Sequence, residues 1–437
     1  MKKIINIHWI NCGLILGVAI LMLSCQGEAV NPQKEETSIR KLSREEQELT
    51  RSINDFAFDL IRQATRQSSS ENIFISPLSV NLAMSLMLNG SAESTQQKIY
   101  DALDFEVLTP LEINKAYSEL IPFLQQLDPQ VDYALANAVW YDHRNEMSSF
   151  YRDVLSAYYD AHVSDINFRS KRASTVIQKW IEEQLQYELP TSLATIDNGT
   201  SLYLTNAVQF TGKWSVPFLE EYTRPADFYL PNGNSITTDM MYADQAVYRY
   251  QRTKQASYID IPYGNGQYSM TLVMPQTEDS LYRLASTLDA EELQSILHSA
   301  DTLEQGLYIP KFAINYQASL KNTLSQLGMG IAFQDSANFT NFFTEAYPQP
   351  HIGDVLHQAA IEINETGAQA ISVTTNLPVV NNTPSVRIDR SFLFFIREQH
   401  SGVILFAGVL ANPVILSNLY LHTTLHATTS PTYPPFR

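Results

Sequence analysis

The chain has 437 residues, of which 44% are hydrophobic, and a formal net charge of −17. This length and apolar content suffice for a large buried core, and no linker rich in glycine, serine or proline divides residues 45–413. The composition therefore indicates one large domain. We expect no nucleic-acid partner, because binding phosphates needs a basic surface.

The first 25 residues have the build of a signal peptide. Lys2 and Lys3 precede an apolar run over residues 13–24, which is too short to span a bilayer comfortably and ends at Cys25. The residues before Cys25 resemble a bacterial lipobox, although Met22 stands where leucine is usual. This resemblance implies that the signal segment is cut off before Cys25 and that Cys25, the new N-terminus, is lipidated; plain secretion is the alternative.

Lipidation of Cys25 predicts anchoring to the membrane of the bacterial cell envelope, at the outer membrane or cell surface, because more than one acyl chain holds a protein stably. Residues 26–44 are mostly polar, with several Glu and Gln residues, and predict a flexible tether. The other cysteine, Cys12, lies within the signal segment, so the mature chain is expected to have no disulfide.

The first predicted elements are a helix, a short strand and a second helix. Ser43 and Glu46 form a capping-box pattern, and apolar residues at helical spacing follow over residues 53–64. A short strand is predicted over residues 73–75. Ser76 caps the second helix, with Pro77 at its first position, and the Asn-Gly pair at 89–90 ends it. This second helix is apolar nearly all round, so we expect it at the centre of the fold.

Later elements follow from periodicity and turn residues. Predicted strands cover residues 131–140, 201–210, 392–396 and 403–410. Predicted helices cover residues 172–185 and 316–327, the second stopped by Gly328. No internal repeat is present, and residues 414–437 are expected to form a loose C-terminal extension.

Residues 365–377 form an unusual segment. After Glu365 it has no charge and no proline, and small residues share one face of the predicted strand: Ala368, Ala370, Ser372 and Thr374. Gly367 provides a hinge, because glycine adopts backbone angles that other residues avoid. The pattern is consistent with an ordinary edge strand before a turn, or with a strand held in reserve.

Several motifs in one order resemble the serpins, a family of serine protease inhibitors. They lie at residues 72–79, 205–214, 262–275, 310–312, 357–365 and 392–413. The resemblance implies an α+β serpin fold over residues 45–413. It would contain a large mixed central β-sheet, further sheets, eight or nine helices and an exposed reactive-centre loop at about 365–391.

The resemblance also implies a function. A serpin is cleaved in its loop by a target protease and traps the acyl-enzyme by inserting the loop into its central sheet. This chain would then be an inhibitor and not an enzyme, with a protease as partner, no cofactor or metal, and a monomeric state. The sequence contains no Gly-x-Ser-x-Gly, His-Glu-x-x-His or phosphate-loop motif that would favour an enzyme. The competing interpretation is a non-inhibitory serpin acting as a surface binding scaffold.

Residues for three family regions follow by matching motifs. The shutter, a polar cluster beneath the sheet, would comprise Ser76, Ser79, Asn206 and His357. The breach, where the loop first enters, would comprise Trp214, Thr223, Lys311 and Glu365, with an ion pair between the last two. The hinge would comprise Glu365, Gly367, Ala368, Ala370 and Ser372.

The reactive bond depends on the direction of counting. Family spacing places the cut after Val380 when counted from Phe392 and after Asn381 when counted from Glu365; Val379 and Asn382 are neighbouring alternatives. No Lys or Arg lies between Ala368 and Val386. This absence disfavours trypsin-like targets and favours an elastase-like or subtilisin-like serine endopeptidase. Cleavage after Asn381 would instead indicate a cysteine protease.

The chain departs from the family pattern at a few positions. Ala368 stands where Thr or Ser is usual, Gln178 replaces an asparagine, and Ser391 replaces a proline. Ile371 and Val373 stand where Ala or Gly is preferred. Because both point away from the predicted buried face, we expect at most slower insertion of the loop.

Overall fold

The computed structural model describes residues 39–67, 72–189, 192–277, 280–345, 350–368 and 384–413. The chain divides into two compact units, Met1–Lys41 and Leu42–Arg437, and the second contains every helix and strand given below.

Nine α-helices occur in the described residues. They are α1 (Arg44–Gln67), α2 (Pro77–Gly90), α3 (Glu93–Ala102), α4 (Pro110–Gln125), α5 (Ser149–Tyr158), α6 (Ala173–Leu185), α7 (Leu281–Thr287), α8 (Ala290–His298) and α9 (Lys321–Leu324). None of these helices is long and apolar enough to cross a membrane.

The strands form three sheets. They are β1 (Ile73–Ile75), β2 (Val131–Asp142), β3 (Glu146–Met147), β4 (His162–Ile166), β5 (Leu202–Lys213), β6 (Arg224–Tyr229), β7 (Ser235–Arg252), β8 (Ala256–Tyr263), β9 (Tyr268–Pro275), β10 (Asp301–Pro310), β11 (Phe312–Ser319), β12 (Phe343–Glu345), β13 (Ile352–Asn364), β14 (Gly367–Ala368), β15 (Ser385–Arg387), β16 (Phe392–Glu398) and β17 (Ile404–Leu410).

The central sheet has six strands in the order β11-β13-β14-β5-β2-β4. Its middle is a boundary between β5 and β13, which run parallel and pair directly from Ile352 to Ala360. We call this boundary the seam. All other pairings except β2 with β4 are antiparallel, so the sheet is mixed.

The second sheet has nine strands in the order β1-β17-β16-β9-β8-β7-β10-β15, with β6 paired to β7. Helix α2 lies between the two large sheets, because it contacts β2 and β5 of the central sheet and β17 of the other. All but one of its residues are buried. The prediction that this helix lies at the centre is confirmed.

Helix starts follow the predicted caps. Ser43 and Glu46 bond reciprocally, with Ser43 N–H donating to the Glu46 carboxylate at 2.8 Å and Glu46 N–H to Ser43 Oγ at 3.2 Å. The Ser76 hydroxyl accepts from Ser79 N–H at 3.2 Å, with Pro77 in the first helical position. Both arrangements satisfy amide groups that the first turn leaves unpaired.

The helix predicted over residues 316–327 is wrong in its first part. Tyr316 to Ser319 complete β11, which pairs with β13, and the helix α9 begins only at Lys321. A π turn continues to Met329, with Gly328 at a φ of +106°. The apolar spacing from Ile314 suits either period, and tertiary pairing with β13 favours the strand.

Helix α6 covers the outer face of the central sheet. Its buried residues pack in a second apolar cluster with side chains from β2, β5 and β13. The cluster includes Ile177, Ile181 and Leu185 of the helix, Trp140 and Ala207 beneath it, and Leu356 of β13. Helix α6 therefore lies over the sheet at its seam.

Candidate functional site

Beneath the seam, on the inner face of the central sheet, lies a buried polar cluster. His357 of β13 and Asn206 of β5 are direct partners across the seam, and His357 Nδ1 bonds Asn206 Oδ1. Asn206 Nδ2 in turn donates to the hydroxyl of Ser79. Ser76 anchors the cluster to the second sheet, since its hydroxyl donates to Leu405 O at 2.7 Å. The structure thus brings together all four residues predicted for the shutter.

The cluster fixes the protonation of His357. Ser76 N–H lies 3.4 Å from His357 Nε2, an arrangement that fits the tautomer in which Nδ1 carries the proton and donates it to Asn206 Oδ1. Burial lowers the pKa of His357 to about 3, because a charged imidazolium is disfavoured where water is excluded. His357 is therefore neutral at physiological pH.

One member of the cluster was missed from the sequence. Asn137 of β2 is the register partner of Asn206, and its Oδ1 accepts from Asn206 Nδ2 at 2.6 Å. Its Nδ2 also donates to Ser79 Oγ at 3.4 Å. Asn137 lies between Leu135 and Val139 on the inner face of a predicted strand. A polar residue at a position where the strand pattern calls for an apolar one could have indicated that Asn137 belongs to a buried polar cluster.

At the end of the seam, the residues predicted for the breach also meet. Lys311 Nζ lies 2.9 Å from Glu365 Oε2, and the Thr223 hydroxyl donates to Glu365 Oε1 at 2.7 Å. The Glu365 side chain is 6% exposed and that of Lys311 26%. A nearly buried carboxylate with both oxygens bonded is held in one position.

Trp214 holds the backbone around Glu365. Its indole Nε1 donates to Asn364 O at 3.0 Å, and its own N–H donates to Thr366 O at 3.0 Å. The ring stacks on Tyr263 with centroids 4.3 Å apart. Phe218 N–H adds a bond to Glu365 O at 2.8 Å. Consecutive backbone carbonyls immediately before Gly367 are therefore all held by hydrogen bonds.

The first hinge residues already lie inside the central sheet. Gly367 and Ala368 form β14, which is antiparallel to both of its neighbours. It pairs with Asn364 and Ile363 of β13 on one side and with Lys213 and Gly212 of β5 on the other. Ala368 is 1% exposed. A short additional strand is thus wedged into the open end of the seam.

The backbone geometry at position 367 requires a glycine. Its φ is +134°, and a Cβ placed there would lie 2.0 Å from Gly212 O. Only glycine fits such a close approach to a neighbouring backbone. Gly367 therefore allows the chain to turn from β13 into the seam.

The remaining predicted site residues lie outside the described residues. They are Ala370, Ser372, Val379, Val380, Asn381, Asn382 and Cys25. The structure describes both ends of the segment 365–391, which was predicted to be an exposed loop, and neither end is an exposed loop. Its first residues are buried in the sheet, and Ser385–Arg387 form β15 beside β10 in the second sheet.

The chain and its fold have counterparts among known proteins. The chain matches the family model described as Serpin (serine protease inhibitor) over residues 51–413. Since this match spans most of the chain, the protein belongs to the serpin family.

Relatives match nearly full length. Mouse (Mus musculus) alpha-1-antitrypsin 1-3 is 26% identical over 412 residues, covering 93% of this chain and 99% of that protein. The alpha-1-antiproteinase of Rattus norvegicus is 26% identical over 408 residues, covering 92% and 98%.

Solved structures show the same fold. The thermophilic serpin tengpin in its native state has a TM-score of 0.78 at 23% identity, covering 86% of this chain and 96% of that one. Human thyroxine-binding globulin has a TM-score of 0.77 at 23% identity, covering 85% and 100%. At this identity the likeness concerns the fold alone.

Proposed function

We propose that this chain is an inhibitory serpin that traps an elastase-like or subtilisin-like serine endopeptidase. The observation that carries the proposal is β14, the pair of hinge residues wedged between β5 and β13. The matched family is one of protease inhibitors rather than enzymes, and its antitrypsin relatives cover the whole domain.

Strand geometry favours further insertion. The seam joins two parallel strands, and β14 enters antiparallel to both. A growing inserted strand would replace one parallel interface by two antiparallel ones, which are slightly more stable per residue. About a dozen new ladder bonds at ~1 kcal/mol net each amount to on the order of ten kcal/mol, comparable to the stability of a domain. Distorting a trapped protease is energetically reasonable on this scale.

The register of β14 predicts where each later residue would arrive. Continuing the same antiparallel pairing would place Thr374 between Asn206 and His357. The bond between His357 Nδ1 and Asn206 Oδ1 crosses the seam and would have to break. In that register the hydroxyl of Thr374 would point inward and would offer the two separated groups a replacement partner. The shutter cluster would therefore close the seam before cleavage and accept the strand afterwards.

The inward face of the segment suits this path. Ala368 already occupies a buried position in the main core, and Ala370, Ser372 and Thr374 continue the same small face. A large or charged side chain on that face would have to be buried without a partner, which is costly. The chain carries none there.

Target class follows from the loop sequence. We place the reactive bond after Val380, with Asn381 as the alternative, because family spacing allows either. The apolar residues Leu377, Val379 and Val380 fit a pocket for small or medium side chains.

We also propose export and lipid anchoring through Cys25, with residues 26–44 as the tether between anchor and domain.

The test uses residues 26–437, which lack the signal segment and Cys25, and a pancreatic-type elastase. We expect a denaturant-resistant complex on electrophoresis and a released C-terminal peptide whose mass locates the cut. Ala368→Arg should be cleaved without forming the complex. Gln369→Arg, with the same charge on the opposite face, is the matched control and should still form it.

Cleavage without a complex for the unmodified chain, repeated with elastase-, subtilisin-, trypsin- and papain-like enzymes, would contradict inhibition. That outcome would favour a binding scaffold. A complex formed only with papain-like enzymes would keep the insertion mechanism and replace the target class.

A further inference from the structure

Three basic side chains lie close together where β4 leads into α6. Arg169, Lys171 and Arg172 are all exposed. Within the described part of the chain, none of them is ion-paired or hydrogen-bonded through its side chain. Because the chain as a whole carries a net charge of −17, these residues form a local reversal of its charge. We call Arg169, Lys171 and Arg172 the basic turn.

The stability of the fold does not explain the basic turn. Other side chains hold its backbone, since Arg169 N–H donates to Asn167 Oδ1 at 3.1 Å and Arg172 N–H donates to Ser170 Oγ at 3.2 Å. Arg172 is also the N-cap residue of α6, where the helix dipole disfavours a cation. Helices α1, α3, α4 and α8 instead carry acidic residues in their first turns. A charge arrangement that opposes the local rule indicates a role outside the fold.

An exposed apolar side chain lies beside the basic turn. Val176 is 48% exposed and follows Arg172 by four residues, so the two share one face at the start of α6. No acidic residue occurs between Asp165 and Glu182 in the sequence. A face that combines basic groups with an exposed apolar one suits the boundary of an anionic lipid surface.

The basic turn lies at the end of the central sheet opposite the breach. β5 runs from Leu202 to Lys213, the partner of Gly367, and its length is about 36 Å. β2 and β4 both end at the Leu202 end of β5, and the basic turn follows β4. The other described flank of the proposed reactive loop, β15, pairs with β10, which ends beside Lys311, the partner of Glu365. Both flanks of that loop therefore lie away from the basic turn.

We propose that the basic turn and Val176 contact the anionic lipid surface to which the chain is anchored, and that this contact directs the reactive loop away from the membrane. The proposal rests on the anchoring through Cys25, which is part of the proposed function. Residues 26–44 reach at most about 65 Å when fully extended, and a domain of this size is about 50 Å across. The anchor alone therefore leaves the orientation of the domain open.

A weak attraction is enough to orient an anchored domain. Each basic residue close to an anionic surface strengthens binding about five-fold, so three give about a hundred-fold. Asp165, exposed at the end of β4, offsets about one of these charges. At physiological salt, charges farther away than about 8 Å are screened, so acidic residues elsewhere on the chain oppose the contact little. The anchor also keeps the domain near the surface at roughly millimolar effective concentration.

The test uses residues 25–437, in which Cys25 is the sole cysteine, coupled through Cys25 to vesicles that contain a maleimide lipid. Phosphatidylcholine vesicles are compared with vesicles in which a third of the lipid is phosphatidylglycerol. Acetylation of Lys171 by a water-soluble ester, read by mass spectrometry, reports the contact. We expect acetylation to be at least about five-fold slower on the anionic vesicles and to recover in ~1 M salt, where charges are screened. Lys254, exposed between β7 and β8, is the internal control and should react equally on both.

A matched pair of variants separates the basic turn from net charge. Arg169→Gln with Arg172→Gln should weaken the contact about thirty-fold and abolish the protection of Lys171. Arg252→Gln with Arg283→Gln removes the same charge from β7 and α7 and should leave the protection intact. The melting temperature of the first variant should stay unchanged or rise slightly, because cations are removed from the start of a helix. A large fall would instead assign the basic turn a structural role.

The outcomes distinguish the contact from the proposed function. Equal acetylation of Lys171 on neutral and anionic vesicles overturns the membrane contact alone. Protection of Lys171 by dextran sulfate in solution, but not by the vesicles, would replace the lipid with an anionic polysaccharide and also overturns it. An exported chain whose Cys25 carries no lipid, by mass, overturns the anchoring and the contact together. Failure to trap an elastase contradicts the inhibitor proposal and leaves the contact standing.

Discussion

The two ends of the seam differ in what lies between β5 and β13. At the breach, Gly367 and Ala368 separate the strands and pair with both. At the shutter, His357 and Asn206 face each other with nothing between them, and their side chains bond across the boundary. The same two strands are thus open at one end and closed at the other. At the closed end the seam is thus held by the pairing of the two strands together with a polar contact between their side chains.

The largest effect is expected at the open end, from Ala368→Arg. Insertion of the loop would bury the new guanidinium without a carboxylate partner, so β14 should not lengthen into a full inserted strand. We expect loss of at least about a hundred-fold in the yield of complex per cleavage event, since an unpaired buried charge costs several kcal/mol. The measurement is the stoichiometry of inhibition against elastase. Equal stoichiometry in mutant and parent would contradict insertion.

Gly367→Val tests the turn into the seam. The new Cβ would meet Gly212 O at 2.0 Å, and a β-branched residue is strained at a φ of +134°. Strain of ~1–3 kcal/mol should expel β14 and slow trapping about ten- to a hundred-fold. Hydrogen exchange of the Trp214 amide, which donates to Thr366 O at 3.0 Å, reports the seating of the hinge. Protection equal to that of the parent would show that the steric argument is wrong.

Lys311→Met tests the ion pair at the breach. Removing the cation leaves Glu365 nearly buried, with Thr223 as its remaining side-chain partner. We expect a loss of ~2 kcal/mol in native stability, less than for a fully buried pair because Lys311 is partly exposed. Urea denaturation measures the loss. Adding Glu365→Gln should recover part of it, and a double variant as unstable as Lys311→Met would argue against the pairing.

The smallest effect concerns pH at the closed end. Because the folded pKa of His357 is lowered to about 3, the unfolded chain binds a proton first as pH falls below about 6.5. Native stability should therefore fall between about pH 6.5 and the folded pKa, by ~1.4 kcal/mol per unit from this group. Urea midpoints measured at neutral pH and at mildly acidic pH give the slope. His357→Gln should flatten it relative to the parent, and an unchanged slope would mean that His357 is not the group responsible.

Much of this molecule could be predicted from the sequence, for identifiable reasons. The capping residues located the starts of α1 and α2, and the nearly continuous apolar surface of α2 placed that helix at the centre. Both patterns can be read from residues close together in the sequence. The polar residues at 206, 311, 357 and 365 were found by their motifs. These side chains meet because β5 pairs with β13. The family motifs, taken together, imply this pairing.

What the sequence did not reveal depends on contacts between distant segments. Asn137 joins the shutter only because β2 places it opposite Asn206. Tyr316 extends a strand because β13 lies beside it, although its spacing also suited a helix. The seating of Gly367 and Ala368 inside the sheet also required the packed structure.

The central claim is that the seam opens to admit the loop, and a reversible cross-link tests it most directly. Gln209 and Ala360 are partners across the seam, and the register of β14 would bring Ile371 between them. Residues 26–437 contain no cysteine, so Gln209→Cys with Ala360→Cys introduces a single pair. We expect elastase to cleave the oxidised variant without forming a complex, and we expect reduction to restore trapping. Trapping at the parental rate by the fully oxidised variant would contradict it.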